Sequence, residues 1–158
     1  MADDYLTGAT YLMQAGAFRS CISTLIDEMD KTPNGMAAKF ACLPAYFLAS
    51  HDMELLLKAA LLKRGTPLQQ LKVPDVRHNL EKLAELLSGH VNISDTTLRL
   101  ISALSPQHKQ HFLRYGGPAT LPHPRWLLEG LDEILQLCAV SGGGPNNSFK
   151  PKPLRGSA

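Results

Sequence analysis

The sequence predicts an all-α fold, an up-and-down bundle of four to six helices, from three observations. Apolar residues recur every three or four positions along most of the first 140 residues. No segment alternates apolar and polar residues for long enough to indicate a strand. Short connections, several with glycine or proline, separate the helical segments, which favours neighbouring helices that pack side by side. The length of 158 residues, with 44% hydrophobic and 19% charged residues, fits one globular domain.

Two long helices are predicted in the first 65 residues. The first extends from about residue 4 to residue 29, with an apolar recurrence that includes Leu6, Met13 and Ile22. Gly16 weakens this pattern enough to allow a break there. After a turn of sequence KTPNG, the second predicted helix covers residues 36–64 and ends at Gly65. Pro44 lies inside this second segment, where it must either kink the helix or begin a new one.

Four shorter helices are predicted after a loop at residues 66–74. Each begins at a residue that can cap free backbone N–H groups, or at a proline suited to the first helical turn. An apolar stripe on each of the longer ones is expected to face the core, and in the last helix this stripe consists of Leu127, Leu131, Ile134 and Cys138. The predicted starts are Asp75 for a helix over 76–87, Ser94 or Asp95 for the next, Ser105–Pro106 for a short helix over 107–115, and His123–Pro124 for the last.

The chain divides into a predicted folded bundle over residues 1–141 and a tail over residues 142–158. The tail reads GGGPNNSFKPKPLRGSA, which has too few large apolar residues to form a core. It carries three cations and no acid, so the formal charge of +2 leaves the bundle near −1. This balance argues against a strongly basic nucleic-acid surface on the bundle. A solvated tail and a weak tether to an anionic partner both fit the tail.

The start of the chain and the cysteines indicate a cytoplasmic protein. Asp3 and Asp4 stand where a secretory signal carries positive charge, and no segment has the roughly 20 apolar residues of a membrane span. The three cysteines are far apart and form no CxxC pair, so each is expected to be a small buried residue. They are Cys21, Cys42 and Cys138.

The second helix carries the clearest polar pattern. Its sequence AYFLASHDMELLLKAALLKRG is apolar nearly all round, which predicts a position at the centre of the bundle. His51, Glu54 and Lys58 are spaced three and four apart, so they fall within about 60° on the helix. They form either a solvent-exposed face with an ion pair, or a polar seam inside the bundle or at a dimer interface. In the seam, Glu54 and Lys58 would need partners.

Two further polar residues occupy the first turn of the helix predicted over 76–87. On a helical wheel His78 points away from the apolar stripe, which is typical of a surface histidine, and Asn79 flanks that stripe. A position of His78 within hydrogen-bond reach of Glu54, Lys58 or Arg114 would favour a polar site.

The segment HKQHFLRY adds four polar residues. His108 and His111 are three apart and could share a helical face, but two histidines without a third ligand indicate a metal site only weakly. Arg114 and Tyr115 end the short predicted helix, where a cation is favoured by the helix dipole. Because the two-histidine signal is weak, no metal site is predicted, and no cofactor is predicted either.

These residues resemble the HEPN superfamily (higher eukaryote and prokaryote nucleotide-binding domains). The resemblance spans roughly residues 40–140, most of the predicted bundle. It is carried by an E-x-x-x-K helix at 54–58, an H-[DN]-L helix start at 78–80 and an R-Y pair at 114–115. Residue by residue, the resemblance implies a polar or ligand site, which His51 joins only through its helical phase. The site residues are His51, Glu54, Lys58, His78, Asn79, Arg114 and Tyr115.

The resemblance implies a helical bundle that is usually dimeric and that binds nucleotides or a protein such as a small nucleotidyltransferase. Many members belong to prokaryotic toxin–antitoxin, defence or stress systems. The ribonuclease members use an arginine followed four to six residues later by a histidine, and this chain has no such pair. The expectation is a non-catalytic module that forms a homodimer and binds a protein partner or a nucleotide, with no membrane contact.

The alternative expectation is a divergent metal-independent ribonuclease. In it, His78 would be the general acid or base, and Lys58 or Arg114 would stabilise the phosphorane. RNA is a partner under this alternative only.

Overall fold

The computed structural model describes residues 2–31, 36–110 and 121–139, and it confirms the all-α bundle. No strand occurs in these ranges. No helix within them combines the length and the apolar character that crossing a membrane requires. The described helices are α1 (Ala2–Lys31), α2 (Met36–Lys63), α3 (Leu68–Leu71), α4 (Leu80–Ser88), α5 (Asp95–Lys109) and α6 (Pro124–Ala139).

Helix α2 lies at the centre of the bundle, as its apolar sequence predicts. It packs against α1, α4, α5 and α6, and every side chain from residue 52 to residue 62 is buried. The helix continues through Pro44 and does not restart there. It ends just before Gly65, whose φ of 85° is a conformation that glycine adopts readily.

Helix α1 is continuous through Gly16, so the break that the sequence allowed does not occur. Two residues of its predicted apolar pattern are not buried, since Leu6 and Met13 are 63% and 73% exposed. Near its start, α1 approaches α2 through Gly8, where an added Cβ would lie 3.6 Å from Leu62 Cβ. Gly8 thus lies on the face of α1 that contacts α2, whereas Leu6 and Met13 lie on the side exposed to solvent.

The segment between α2 and α4 differs from the prediction. A short helix, α3, occupies part of the predicted loop at 66–74, and α4 begins at Leu80, later than predicted. The cap is Asn79, not Asp75, because the Asn79 side chain accepts a hydrogen bond from the Lys82 N–H at 3.2 Å. His78 therefore lies in the turn before α4, outside the helix.

Helix α5 corrects the predicted restart at Ser105–Pro106. The helix is continuous from Asp95 to Lys109 with Pro106 inside it, and Ser94 is its N-cap. The Ser105 hydroxyl donates to Asn79 Oδ1 at 3.4 Å, which ties this part of α5 to the start of α4. The part of the predicted short helix beyond residue 110 and the tail at 142–158 lie outside the described residues.

The last helix and the cysteines give mixed outcomes. Helix α6 begins at Pro124 and buries the predicted stripe of Leu127, Leu131, Ile134 and Cys138. Cys21 is exposed, so the expectation that each cysteine is buried is wrong for it. Its neighbour Ile22, not Cys21, occupies the buried position on α1. The side chain of Cys42 is outside the described part.

Candidate functional site

The candidate site is built around Glu54, which is only 4% exposed near the middle of α2. Its Oε1 accepts a hydrogen bond from Lys58 Nζ at 2.5 Å. Its Oε2 lies 2.5 Å from His108 Nε2 and 3.2 Å from His78 Nδ1. These three partners satisfy a carboxylate that would otherwise be costly to bury. We call the four residues the Glu54 cluster.

Three separate segments bring the cluster together. Lys58 follows Glu54 by one turn of α2, in the order that favours an i,i+4 ion pair. His78 lies in the turn that Asn79 ends by capping α4. His108 lies in the last turn of α5, one helical turn after the buried Leu104. The cluster therefore depends on how α4 and α5 pack on α2.

The hydrogen-bond chemistry fixes which ring nitrogens face Glu54 as donors. A carboxylate only accepts hydrogen bonds, so His78 Nδ1 and His108 Nε2 carry the protons that point at it. In a neutral ring the opposite nitrogen is then an acceptor. The His78 side chain is 52% exposed and that of His108 is 11% exposed. His78 is thus the imidazole of the cluster that a ligand reaches most easily.

The pKa of Glu54 shows that the partners outweigh burial. Burial by itself raises this pKa, whereas hydrogen bonds from His108 and Lys58, the Lys58 charge and the His78 hydrogen bond lower it. The net result is a pKa of about 2, so Glu54 is ionised at neutral pH. Burial first and the Glu54 charge second raise the pKa of nearby Tyr11.

A pocket of about 300 Å³ borders the cluster, and we call it the basic pocket. None of the described residues that line it is acidic, and Lys72 and Arg77 form no ion pair within the described part of the chain. Leu71 is fully buried beneath it. The lining residues are Tyr11, Lys58, Leu68, Leu71, Lys72, Arg77 and His78.

The structure brings together three of the predicted site residues, Glu54, Lys58 and His78. Asn79 is adjacent, but its side chain oxygen serves the start of α4. His51 is directed elsewhere, since its ring lies edge-on to Phe18 of α1 with centroids 5.1 Å apart. Arg114 and Tyr115 lie outside the described residues.

His108 belongs to the cluster, although it is not one of the site residues that the sequence predicts. The predicted restart at Pro106 separated His108 from the apolar stripe of the preceding helix. In one continuous helix, His108 follows Ile101 and Leu104 by seven and four residues, which places it on their buried face. That spacing is the signal that could have found it.

Three residues of the cluster could hold a metal ion. Glu54, His78 and His108 each offer one ligand atom, and these atoms all lie within 4.8 Å of one another. Both imidazole nitrogens and carboxylate oxygens are common ligands of Zn²⁺.

Comparison of the chain with protein-family models, with curated proteins and with solved structures finds no match. Evidence for function therefore comes from the Glu54 cluster and the basic pocket.

Proposed function

We propose that this chain is a HEPN-like helical module that binds a nucleotide in the basic pocket. The observation that carries the proposal is the pocket itself, in which cationic side chains surround an apolar floor next to a buried ion pair. Lys58 and His78 are also residues through which the sequence resembles the HEPN superfamily.

The charge of the pocket suits a phosphate group. The Lys58 charge is balanced by Glu54 at 2.5 Å, whereas Lys72 and Arg77 are exposed cations with no acidic neighbour among the lining residues. A guanidinium can donate two parallel hydrogen bonds to a phosphate, and an ammonium supplies a compact positive charge. We therefore place the phosphates at Lys72 and Arg77.

The apolar part of the pocket suits a base. Leu68 and Leu71 supply aliphatic surface, and Tyr11 supplies an aromatic ring from α1. Ligand sites commonly combine such apolar surface with a few polar groups that fix orientation. This combination favours a nucleotide over a simple inorganic anion.

The module is also proposed to form a homodimer through the first turns of α1. Tyr5, Leu6 and Met13 are 77%, 63% and 73% exposed, and they fall on one side of the helix. Large apolar side chains clustered in contact with water commonly mark an interface. Light scattering should therefore give twice the chain mass, and Met13→Glu should give the mass of one chain.

Calorimetric titration of the full chain with AMP, with adenosine and with inorganic phosphate tests nucleotide binding. We expect AMP to bind more tightly than either part, because only AMP engages both the cations and the apolar floor. Arg77→Gln should weaken AMP binding by about tenfold, the loss of one charge-assisted contact of about 1.4 kcal/mol. Arg99→Gln is the matched control, since Arg99 is an exposed arginine of α5 that does not line the pocket. Equal losses in both variants would contradict the proposal.

The second candidate function is metal-independent RNA cleavage, and the His78–Glu54 geometry favours it. Glu54 Oε2 faces His78 Nδ1 at 3.2 Å, which orients the ring and leaves Nε2 as the acid or base toward a ligand. Incubation of labelled RNA with the wild type and with His78→Gln, both with a chelator present, tests this function. Identical product patterns for the two proteins would exclude it.

A further inference from the structure

We propose that Glu54, His78 and His108 form a binding site for a divalent transition-metal ion, with Zn²⁺ as the best match. This proposal goes beyond nucleotide binding and does not depend on it. Two imidazoles and one carboxylate are the three protein ligands of a common class of zinc site, which leaves a fourth position open.

One atom, Glu54 Oε2, organises the three ligands. Both imidazole contacts of Glu54 are made through this oxygen, at 3.2 Å for His78 and 2.5 Å for His108. The other oxygen, Oε1, is held by Lys58. Glu54 can therefore bind an ion through Oε2 while Lys58 continues to fix the orientation of the carboxylate through Oε1, as hydrogen-bond partners of metal ligands commonly do.

The ligand separations lie within reach of those that a zinc ion requires, since all three ligand atoms lie within 4.8 Å of one another. Tetrahedral bonds of about 2.0–2.2 Å place neighbouring ligand atoms about 3.3 Å apart. The His78–Glu54 separation of 3.2 Å already matches this value. The His108–Glu54 separation of 2.5 Å must lengthen by about 0.8 Å, which a small rotation of a side chain in the last turn of α5 can supply.

The protons balance without any other reactant. A bound ion needs a lone pair on His78 Nδ1 and another on His108 Nε2. Without the ion, both nitrogens carry protons that point at the carboxylate. Each neutral imidazole can present that lone pair by carrying its single proton on the other ring nitrogen. The ion then replaces two hydrogen bonds to Oε2 with three metal–ligand bonds.

The surroundings of the site predict three consequences. Its ligands come from α2, from the turn before α4 and from α5, so a bound ion connects three segments and should stabilise the fold. His78 lines the basic pocket as well, so an anion held there is the natural fourth ligand. Lys58 repels a cation, so we expect weaker binding than in a closed structural site.

Titration of the tag-free full chain with Zn²⁺ alone, in competition with a chromophoric chelator, tests the proposal. We expect one ion per chain with a dissociation constant below about 10 µM. His78→Gln and His108→Gln should each weaken binding by at least about tenfold, because each removes one ligand. His90→Gln is the matched control, since His90 is exposed and is not one of the three ligands.

Several outcomes would overturn the site. These are the absence of Zn²⁺ binding, wild-type affinity in both ligand variants, and loss of binding in His111→Gln with retention in His78→Gln. A second measurement needs no variant. The wild type loaded with Co²⁺ should show the intense visible absorption of a four-coordinate ion, and the weak spectrum of a six-coordinate ion would contradict the site.

The metal site and the nucleotide site can fail separately. His108 does not line the basic pocket, so His108→Gln should lose Zn²⁺ and still bind AMP. Arg77 is not among the three ligands, so Arg77→Gln should lose AMP affinity and still bind Zn²⁺.

Discussion

Two buried carboxylates on α2, only two residues apart, have opposite surroundings. Glu54 is 4% exposed and Asp52 is fully buried. Because successive residues turn by about 100° around a helix, the two side chains leave α2 on nearly opposite sides. Glu54 faces Lys58 and the two histidines. Neither oxygen of Asp52 has a hydrogen-bond partner among the described residues.

The pKa values follow this difference. Burial raises the pKa of Asp52 to about 7, an effect that the Arg19 charge opposes and the Asp132 charge reinforces. Arg19 does not pair with Asp52, because it donates to both carboxylate oxygens of Asp132 at 2.7 and 2.8 Å. Glu54 is buried as well, but its pKa is about 2, because Lys58 and the two histidines donate hydrogen bonds to its carboxylate. Hydrogen-bond partners, more than depth in the core, decide the state of a buried acid.

The largest expected effect is the loss of Glu54. In Glu54→Ala, the Lys58 ammonium stays buried without its partner, and two imidazoles lose their acceptor. We expect the free energy of unfolding to fall by about 3–5 kcal/mol, measured by urea denaturation at neutral pH. Lys82→Gln is the control, because the Lys82–Glu85 pair is exposed on both sides and its loss should leave stability unchanged. A similar stability for Glu54→Ala and the wild type would show that the cluster is not energetically coupled to the fold.

The pH dependence of stability separates the two carboxylates. The folded pKa of Asp52 is about 7, against an ordinary value of 3.8, so the folded state holds the extra proton between these values. Its contribution is present below about pH 4 and is lost as the pH rises to about 7, up to roughly 4 kcal/mol in total. The contribution of Glu54 has the opposite sign, since it is lost only as the pH falls from about 4.5 toward 2.

Asp52→Asn tests this assignment, because the amide does not titrate. We expect the unfolding free energy of the variant to decline less than that of the wild type between about pH 5 and pH 8. Parallel declines in the two proteins would show that another group causes the pH dependence.

A smaller effect is expected when the surroundings of Asp52 are changed. Burial is the main cause of the raised pKa of Asp52; Asp132→Asn removes a charge that adds to this effect, and it releases Arg19 from its present partner. Between about pH 5 and pH 8, the free energy of unfolding should decline by about 1 kcal/mol less in Asp132→Asn than in the wild type. A decline in Asp132→Asn that equals or exceeds that of the wild type would contradict this expectation.

Much of the fold could be predicted from the sequence, because local chemistry specifies it. The apolar character of α2 all round its axis predicts its central position, and Pro124 and the stripe ending at Cys138 define α6. Gly65 marks the end of α2 because few other residues adopt its φ readily. Within the candidate site, the spacing of Glu54 and Lys58 predicts their contact, since residues four apart are neighbours on any α-helix.

Other features depend on competition between local signals, which the sequence does not resolve. Asp75 and Asn79 can both cap a helix, and the turn that packs Leu80 into the core selects Asn79. Pro106 can begin a helix or lie within one, and the burial of Leu104 and Ser105 keeps α5 continuous through it. These two choices put His78 outside a helix and His108 on a buried face.

The sequence by itself determined the all-α class, the central helix and the Glu54–Lys58 pair, because each depends on residues one or two turns apart. Only the tertiary structure decided that two histidines, 24 and 54 residues away from Glu54, share its second oxygen. The tertiary structure also decided that Asp52 has no hydrogen-bond partner in the described part of the chain. Such contacts depend on how whole helices rotate and slide as they pack, and this is set by the sum of many weak apolar contacts.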